Sequence, residues 1–245
     1  MILKTEAIVL RTIDFHETSR IAIFYSKNYG KLKGILKGIR KDPKKFGSHV
    51  DRFSVNDIVY YHYRHSDLHL ISQCDLRQYF FPIRQDIRRT LAAMYMLELV
   101  DKIMPLEESN FDVYQLMIDF LTTLETTTAM NKVICLFQIK ILSLSGFQPY
   151  LDACLVCNKK ITGKARFSMK EGGLICLTCS LQDPYVTLIS QGTIASLLHV
   201  ENHPWERCLR LGFAPTVQKE LKYILNNFLM FHLGQPLKSA KFVAS

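Results

Sequence analysis

Four of the seven cysteines fall in two tight pairs, Cys154 with Cys157 and Cys176 with Cys179, in the pattern C-x2-C-x18-C-x2-C. Two intervening residues let one short turn aim both thiolates at a single ion, and four thiolates at about 2.3 Å complete a tetrahedron with no vacant position. A closed shell cannot activate water. The pattern therefore implies one structural zinc ion, contributing folding energy to a segment too short and polar to hold itself together. An iron–sulfur cluster is the chemical rival, since four thiolates serve both, although paired knuckles favour zinc. Neither pair follows a strand and opens a helix, as thioredoxin-like redox chemistry requires. Asn158 stands directly after the second cysteine, where a left-handed turn residue is wanted, and Gly172 and Gly173 give the return hairpin its freedom. Cys74, Cys135 and Cys208 stand alone among apolar residues and read as small buried hydrophobes.

The second chemical signal is positive charge. The 245 residues carry 31 Lys and Arg against 22 Asp and Glu, a net +9, which favours polyanionic partners through counterion release. The excess is concentrated in residues 1–80, with 14 basic against 8 acidic side chains. From Lys27 to Lys45 the basic residues are Lys27, Lys31, Lys33, Lys37, Arg40, Lys41, Lys44 and Lys45, and Asp42 is the only acid. If GKLKGILK is a strand, Lys31, Lys33 and Lys37 point to one face while Leu32 and Leu36 point to the other, giving a basic stripe over a core. The loop KDPKKFGS extends that stripe, with Pro43 and Gly47 ending the strand. Single strands are held by charge plus stacking, and the candidate stacking rings are Tyr25, Tyr29, Phe46, Tyr60, Tyr61 and Tyr63. Half of these belong in a core, and alternation sets Tyr60 opposite to Tyr61 and Tyr63.

Catalytic patterns are lacking: the sequence has no GxxxxGK[ST] loop, no HExxH and no G-x-S-x-G elbow. His62, His65 and His69 come nearest to a histidine cluster, but their strand-like surroundings and exposed turn argue against a second metal site. The start, MILKTEAIVLRTIDFHE, meets charge too early for a secretory signal, and VICLFQIKILSLSGF is broken by Gln138 and Lys140 short of a membrane span. A cytoplasmic, nucleoid-associated protein with no membrane partner is expected.

These residues must be positioned by several folded bodies, since a chain of this length exceeds a single small module. EAIVL, SRIAIFY, GKLKGILKGI, DIVYYHY and LHLISQC carry strand signals separated by turn formers. Five short strands around one modest core fit an OB-type barrel, with an SH3-like barrel as the rival. From Pro82 the apolar period becomes helical. One helix spans Ile87 to Ile103, a second starts after Ser109 or Asn110, and a third, NKVICLFQIKILSLS, is apolar nearly all round and should be central. The pattern fails between Leu151 and Leu181, then returns in LISQGTIASLLHVENHP, capped by Ser190, and in VQKELKYILNNFLMFHLG, ended by Gly234. The expected class is α+β: a barrel over 1–80, a helical domain over 81–150 and 183–245, and a four-cysteine module inserted at 151–182.

Four blocks together resemble the RecO family over nearly the whole chain. AIVLRTIDFHETSRIAIFYSKNYGKLKGILKG, with Glu17 and Arg20 ahead of the Gly30-Lys31 turn, resembles the family's opening strands, and KGIRKDPKKFGSHVDRF resembles its basic loop. FQIKILSLSGFQPYLDACLVC and ARFSMKEGGLICLTC resemble its central helix and two knuckles, and FLMFHLGQPLKSAKF its closing helix through Lys238 and Ser239. Asn158 stands where a Gly is usual, and Lys44 where a Ser is common. The resemblance implies a non-enzymatic recombination mediator that binds single- and double-stranded DNA, anneals complementary strands, and works with RecR and the single-stranded-DNA-binding protein to load RecA. It also implies phosphate contacts from Lys31, Lys37, Arg40, Lys44 and Lys45 with Arg20 beside them, to which the stripe adds Lys33 and Lys41, and zinc held by the four paired cysteines. A partner-tail pocket would lie in the helical domain, with Arg88 or Lys132 as candidate carboxylate partners. The competing class is an adaptor whose basic stripe docks acidic protein tails without annealing DNA.

Overall fold

A computed structural model describes residues 1–42, 46, 50–179, 185–234 and 236–240. The expected basic-loop contacts Lys44 and Lys45, with Pro43 and Gly47, lie outside the described residues. The chain divides into two compact units, Met1–Thr128 and a second beginning at Ala129, so the helices expected over 81–150 are parted between them.

The first unit is built on a closed five-stranded barrel: β1 (Ile2–Phe15), β2 (Ser19–Ser26), β3 (Gly30–Leu36), β4 (Val55–Tyr61) and β5 (Leu68–Gln78). The order β1-β2-β3-β5-β4 closes on β1, and only β3 and β5 pair in parallel, through Lys33 with Leu68 and Ile35 with Leu70. This OB-like order sets aside the SH3-like alternative. Closure needs one strand to serve two neighbours. β1 does so by pairing with β4 over Ile2–Ile8 and with β2 over Ala7–Phe15, its register shifting between Val9 and Arg11 where a bulge bends it. Alternation fills the interior with Val9, Phe24, Leu32, Leu36, Ile58, Tyr60 and Ile71, and Phe46 joins the same core. Gly30, at a φ of 64°, is required: a β-carbon there would stand 1.9 Å from the Glu108 carbonyl oxygen.

Three helices complete this unit: α1 (Phe81–Arg84), α2 (Ile87–Ile103) and α3 (Phe111–Thr126). Arg84 ties α1 to the barrel by stacking its guanidinium over Phe53 and Tyr79, at 4.1 and 3.7 Å from the ring centres. The Asp86 carboxylate caps α2 by accepting from the Arg88 and Arg89 amides, and Asn110 caps α3 by accepting from Val113.

The second unit holds α4 (Met130–Leu144), α5 (Gln191–Asn202), α6 (Trp205–Leu209) and α7 (Pro215–Leu233), with a sheet of β6 (Ala165–Ser168), β7 (Gly173–Ile175) and β8 (Val186–Ile189) in the order β7-β6-β8. α4 is central, as its all-round apolarity requires: Leu136, Phe137, Ile139 and Ile141 are all buried, and its one buried amide, Gln138, donates to the Asn226 side chain on α7 at 3.0 Å. Ser190 caps α5, and Gly234 ends α7 in a left-handed conformation. No helix among the described residues is long and apolar enough to cross a membrane.

Candidate nucleic-acid interface and metal centre

β3 alternates as its sequence requires: Gly30, Leu32, Gly34 and Leu36 are buried, while Lys31, Lys33 and Ile35 face outward. Lys37 follows the end of the strand, and the turn after it carries Arg40 and Lys41; all three are exposed. Among the described residues no acidic side chain pairs with Lys33, Lys37 or Lys41. The cations nearest the β1–β2 turn are partly engaged. The Asp14 carboxylate accepts from Arg20 Nε at 3.0 Å and stands 3.9 Å from Arg40, which also donates to the His16 carbonyl.

Lys31 has a different environment from its neighbours. Its ammonium donates to the Asp101 carbonyl at 2.6 Å and lies 3.6 Å from the Asp101 carboxylate, with 11% of the side chain exposed. Burial lowers its pKa, partly offset by Asp101. The same carboxylate accepts from Arg11 Nε at 2.6 Å. Arg11, Lys31, Lys33 and Lys102 thus line a notch containing one acid, Asp101. Arg11 and Lys102 lie far from the Lys27–Lys45 run in sequence, so the run alone could not reveal them.

The candidate stacking rings separate by strand alternation. Phe46 and Tyr60 belong to the barrel interior and Tyr29 packs against it, Tyr25 is buried on the other face of β2 with its hydroxyl donating to the Asn110 carbonyl, and Tyr61 and Tyr63 stand outside at 40% and 47% exposure. Of the candidate tail-binding cations, Lys132 donates to the Leu209 carbonyl at the end of α6, and Arg88 stands exposed in the first turn of α2.

The four paired cysteines converge, with all sulfurs within 4.8 Å of one another and Cys157 Sγ 3.8 Å from Cys176 Sγ. Four sulfurs at about 2.3 Å from one tetrahedral ion stand about 3.8 Å apart. Cluster ligands bind different irons and must stand wider, so the geometry fits a single ion. Asn158 adopts the left-handed turn its position called for, at a φ of 56°, and its amide donates to the Cys154 carbonyl. The Cys176 and Val156 amides donate to Cys154 Sγ, and the Thr178 hydroxyl lies 3.1 Å from Cys176 Sγ. Hydrogen bonding from Thr178 and Cys179 pulls the Cys176 thiol down to about 6, whereas hydrogen bonds shared with Cys176 and Cys157 push Cys179 up to about 12. Four such neighbours ionise together only when a cation offsets their charge. Arg166 on β6 supports the second knuckle: its Nη2 donates to the carbonyls of Cys176, Leu177 and Cys179, and its buried Nε has no partner among the described residues.

Comparison with known proteins gives a consistent result. The family model for the recombination protein O N terminal matches residues 1–80, and that for the recombination protein O C terminal matches residues 84–241. The DNA repair protein RecO of Syntrophus aciditrophicus (strain SB) is 32% identical over 242 residues, spanning 97% of this chain and 93% of that protein. The DNA repair protein RecO of Alkaliphilus metalliredigens (strain QYMF) is 29% identical over 236 residues, spanning 96% and 95%. That of Bacillus pumilus (strain SAFR-032) is 28% identical over 243 residues, spanning 99% and 94%.

Proposed function

The chain belongs to the RecO family, and from that membership we propose a DNA repair and recombination mediator that grips nucleic-acid backbones on its barrel and anneals complementary strands. The observation that carries this reading is the outward cationic face of β3 and its following turn. Lys33, Lys37 and Lys41 stand there without an acidic partner among the described residues, flanked by Arg20 and Arg40. Each cation that meets a phosphate displaces condensed counterions whose release drives binding.

Annealing then needs no nucleophile or acid–base pair. Two strands repel through their phosphates, and a surface that neutralises both lets base pairing supply the free energy. Tyr61 and Tyr63 are the exposed rings available for stacking on bases. Lys31 acts mainly through Asp101, holding β3 against the end of α2, while Lys44 and Lys45 add two further cations that follow in the sequence. The four cysteines hold one zinc ion, whose closed shell supplies folding energy to the 151–182 segment and no reaction chemistry. RecR, the single-stranded-DNA-binding protein and, through them, RecA are the partners this membership supports.

The test is binding and annealing of labelled complementary oligonucleotides by the full chain and by a variant with Lys37, Arg40, Lys44 and Lys45 changed together to Gln. Loss of both activities is expected, and unchanged affinity would overturn the reading. A partner pull-down after nuclease digestion separates it from the adaptor alternative, which keeps its partner by contact with the basic face.

A further inference from the structure

We propose that His62, His69 and Glu107 form a second metal site, for a divalent transition ion of the zinc, cobalt or nickel type, where the β4–β5 loop and the start of β5 meet the link between α2 and α3. It shares no side chain with the cysteine centre or with the cations of β3. Three observations carry it. First, one donor atom from each residue lies within 4.8 Å of the others, with His69 Nε2 2.6 Å and His62 Nε2 3.9 Å from the Glu107 carboxylate oxygens. Donors bound at 2.0–2.2 Å to one ion stand roughly 3 Å apart, so modest rotations of the part-exposed His62 and Glu107 side chains close the set. His69 is fixed, with 1% of its side chain exposed.

Second, the backbone that carries Glu107 is held in place. Glu107 adopts a φ of 57°, which a residue with a β-carbon rarely takes, and its amide donates to the Lys31 carbonyl at 2.9 Å. Strained residues of this kind gather at functional sites. Third, Tyr60 packs its ring 5.4 Å from His69 and its buried hydroxyl has no hydrogen-bond partner among the described residues. A simple His69–Glu107 hydrogen bond accounts for neither the second imidazole, tilted at 39° with its centre 4.7 Å from the first, nor this orphaned hydroxyl.

The proton balance is simple. His69 Nδ1 accepts from the Tyr63 amide at 3.4 Å, so Nε2 holds the ring proton and donates it to Glu107. Metal binding at Nε2 moves that single proton to Nδ1 with none released, ending a long hydrogen bond to a residue in the loop between β4 and β5. Imidazole and carboxylate donors suit the ions named, and the filled site would tie that loop, with its exposed Tyr63, to the link between α2 and α3.

The test uses untagged full-length protein carrying one zinc per chain, titrated with Co2+. The expected result is a second equivalent of bound metal whose spectrum has cobalt d–d bands but no thiolate charge transfer. His62→Ala and Glu107→Gln should each weaken that second ion by more than the roughly 10- to 100-fold cost of losing an outer hydrogen-bond partner, with circular dichroism and oligonucleotide binding unchanged. A parent chain that takes up no second ion would overturn the proposal, as would variants that retain it.

Discussion

Replacing Asp101 with Asn should weaken the fold and strengthen nucleic-acid binding, two effects usually opposed when charge is removed from a basic protein. Asp101 accepts from Arg11 at 2.6 Å, but Arg11 is 42% exposed, so that pair contributes only about 0.5–1 kcal/mol. Lys31 is 11% exposed and Asp101 16%, and a charge-assisted interaction in such a setting contributes about 1–2 kcal/mol. Asn keeps the shape and leaves the Lys31 bond to the Asp101 carbonyl, so a net loss of about 2 kcal/mol is expected in urea unfolding. The notch meanwhile gains one uncompensated positive charge. Each cation that meets a single-stranded phosphate contributes about 0.7 to the slope of log K against log salt. The slope should steepen by about that amount, a further loss of roughly 2.6-fold in affinity between 50 and 200 mM salt. Fluorescence anisotropy of a labelled oligonucleotide measures it. A destabilised variant with an unchanged or shallower slope would show that the notch does not meet phosphates, and an undamaged fold would show that Asp101 does not anchor Lys31.

Chelation of the zinc, or Cys157→Ser, should unfold the β6–β8 segment and lower the melting temperature, with one zinc released per chain in a colorimetric assay; full stability without metal would contradict a structural ion. Arg166→Gln should lower zinc affinity by roughly 10- to 100-fold, because three carbonyls of the second knuckle lose their common donor; competition with a chelating dye reads this directly. Burial pushes Glu201 up to about 7, with Asp152 adding and Lys140 opposing. The folded state thus binds this proton more tightly than the unfolded chain, and its stabilisation is complete below about pH 4.3 and lost as pH rises through 7. Glu201→Gln should therefore exceed the parent in stability by about 1–2 kcal/mol at pH 8, after discounting for solvent screening of a part-exposed group, and match it near pH 4. Thermal melts at several pH values check this, and parallel profiles would refute it.

The barrel and the long helices were legible because each rests on a local pattern. Period-two alternation placed Leu32 and Leu36 inside β3 with Lys33 outside, and the caps at Asn110 and Ser190 are single-residue signals with a defined partner three residues on. The cysteine quartet was legible for the same reason: C-x2-C spacing fixes a turn, and Asn158 at positive φ completes it. What stayed hidden depends on partners distant in sequence. Nothing near Lys31 announces that Asp101, seventy residues on, occupies its ammonium. Phe46 sits in a basic loop like a stacking ring, yet the barrel needed an apolar plug there. The strands β6–β8 are three or four residues long, too short to show a period. Glu107 joins His62 and His69 only through a backbone conformation that no sequence pattern announces.

The most direct measurement is the salt dependence of single-stranded DNA binding by a Lys33→Gln, Lys37→Gln, Lys41→Gln variant, beside the parent and a Lys31→Gln control. Three phosphate contacts at about 0.7 each should flatten the slope of log K against log salt by about 2, so that the parent loses roughly 18-fold more affinity than the variant between 50 and 200 mM. The control should change the slope far less, since its ammonium is already bonded to Asp101. A triple variant with the parent's slope and affinity would mean that DNA is gripped elsewhere and that the outward face of β3 is only a solvated surface.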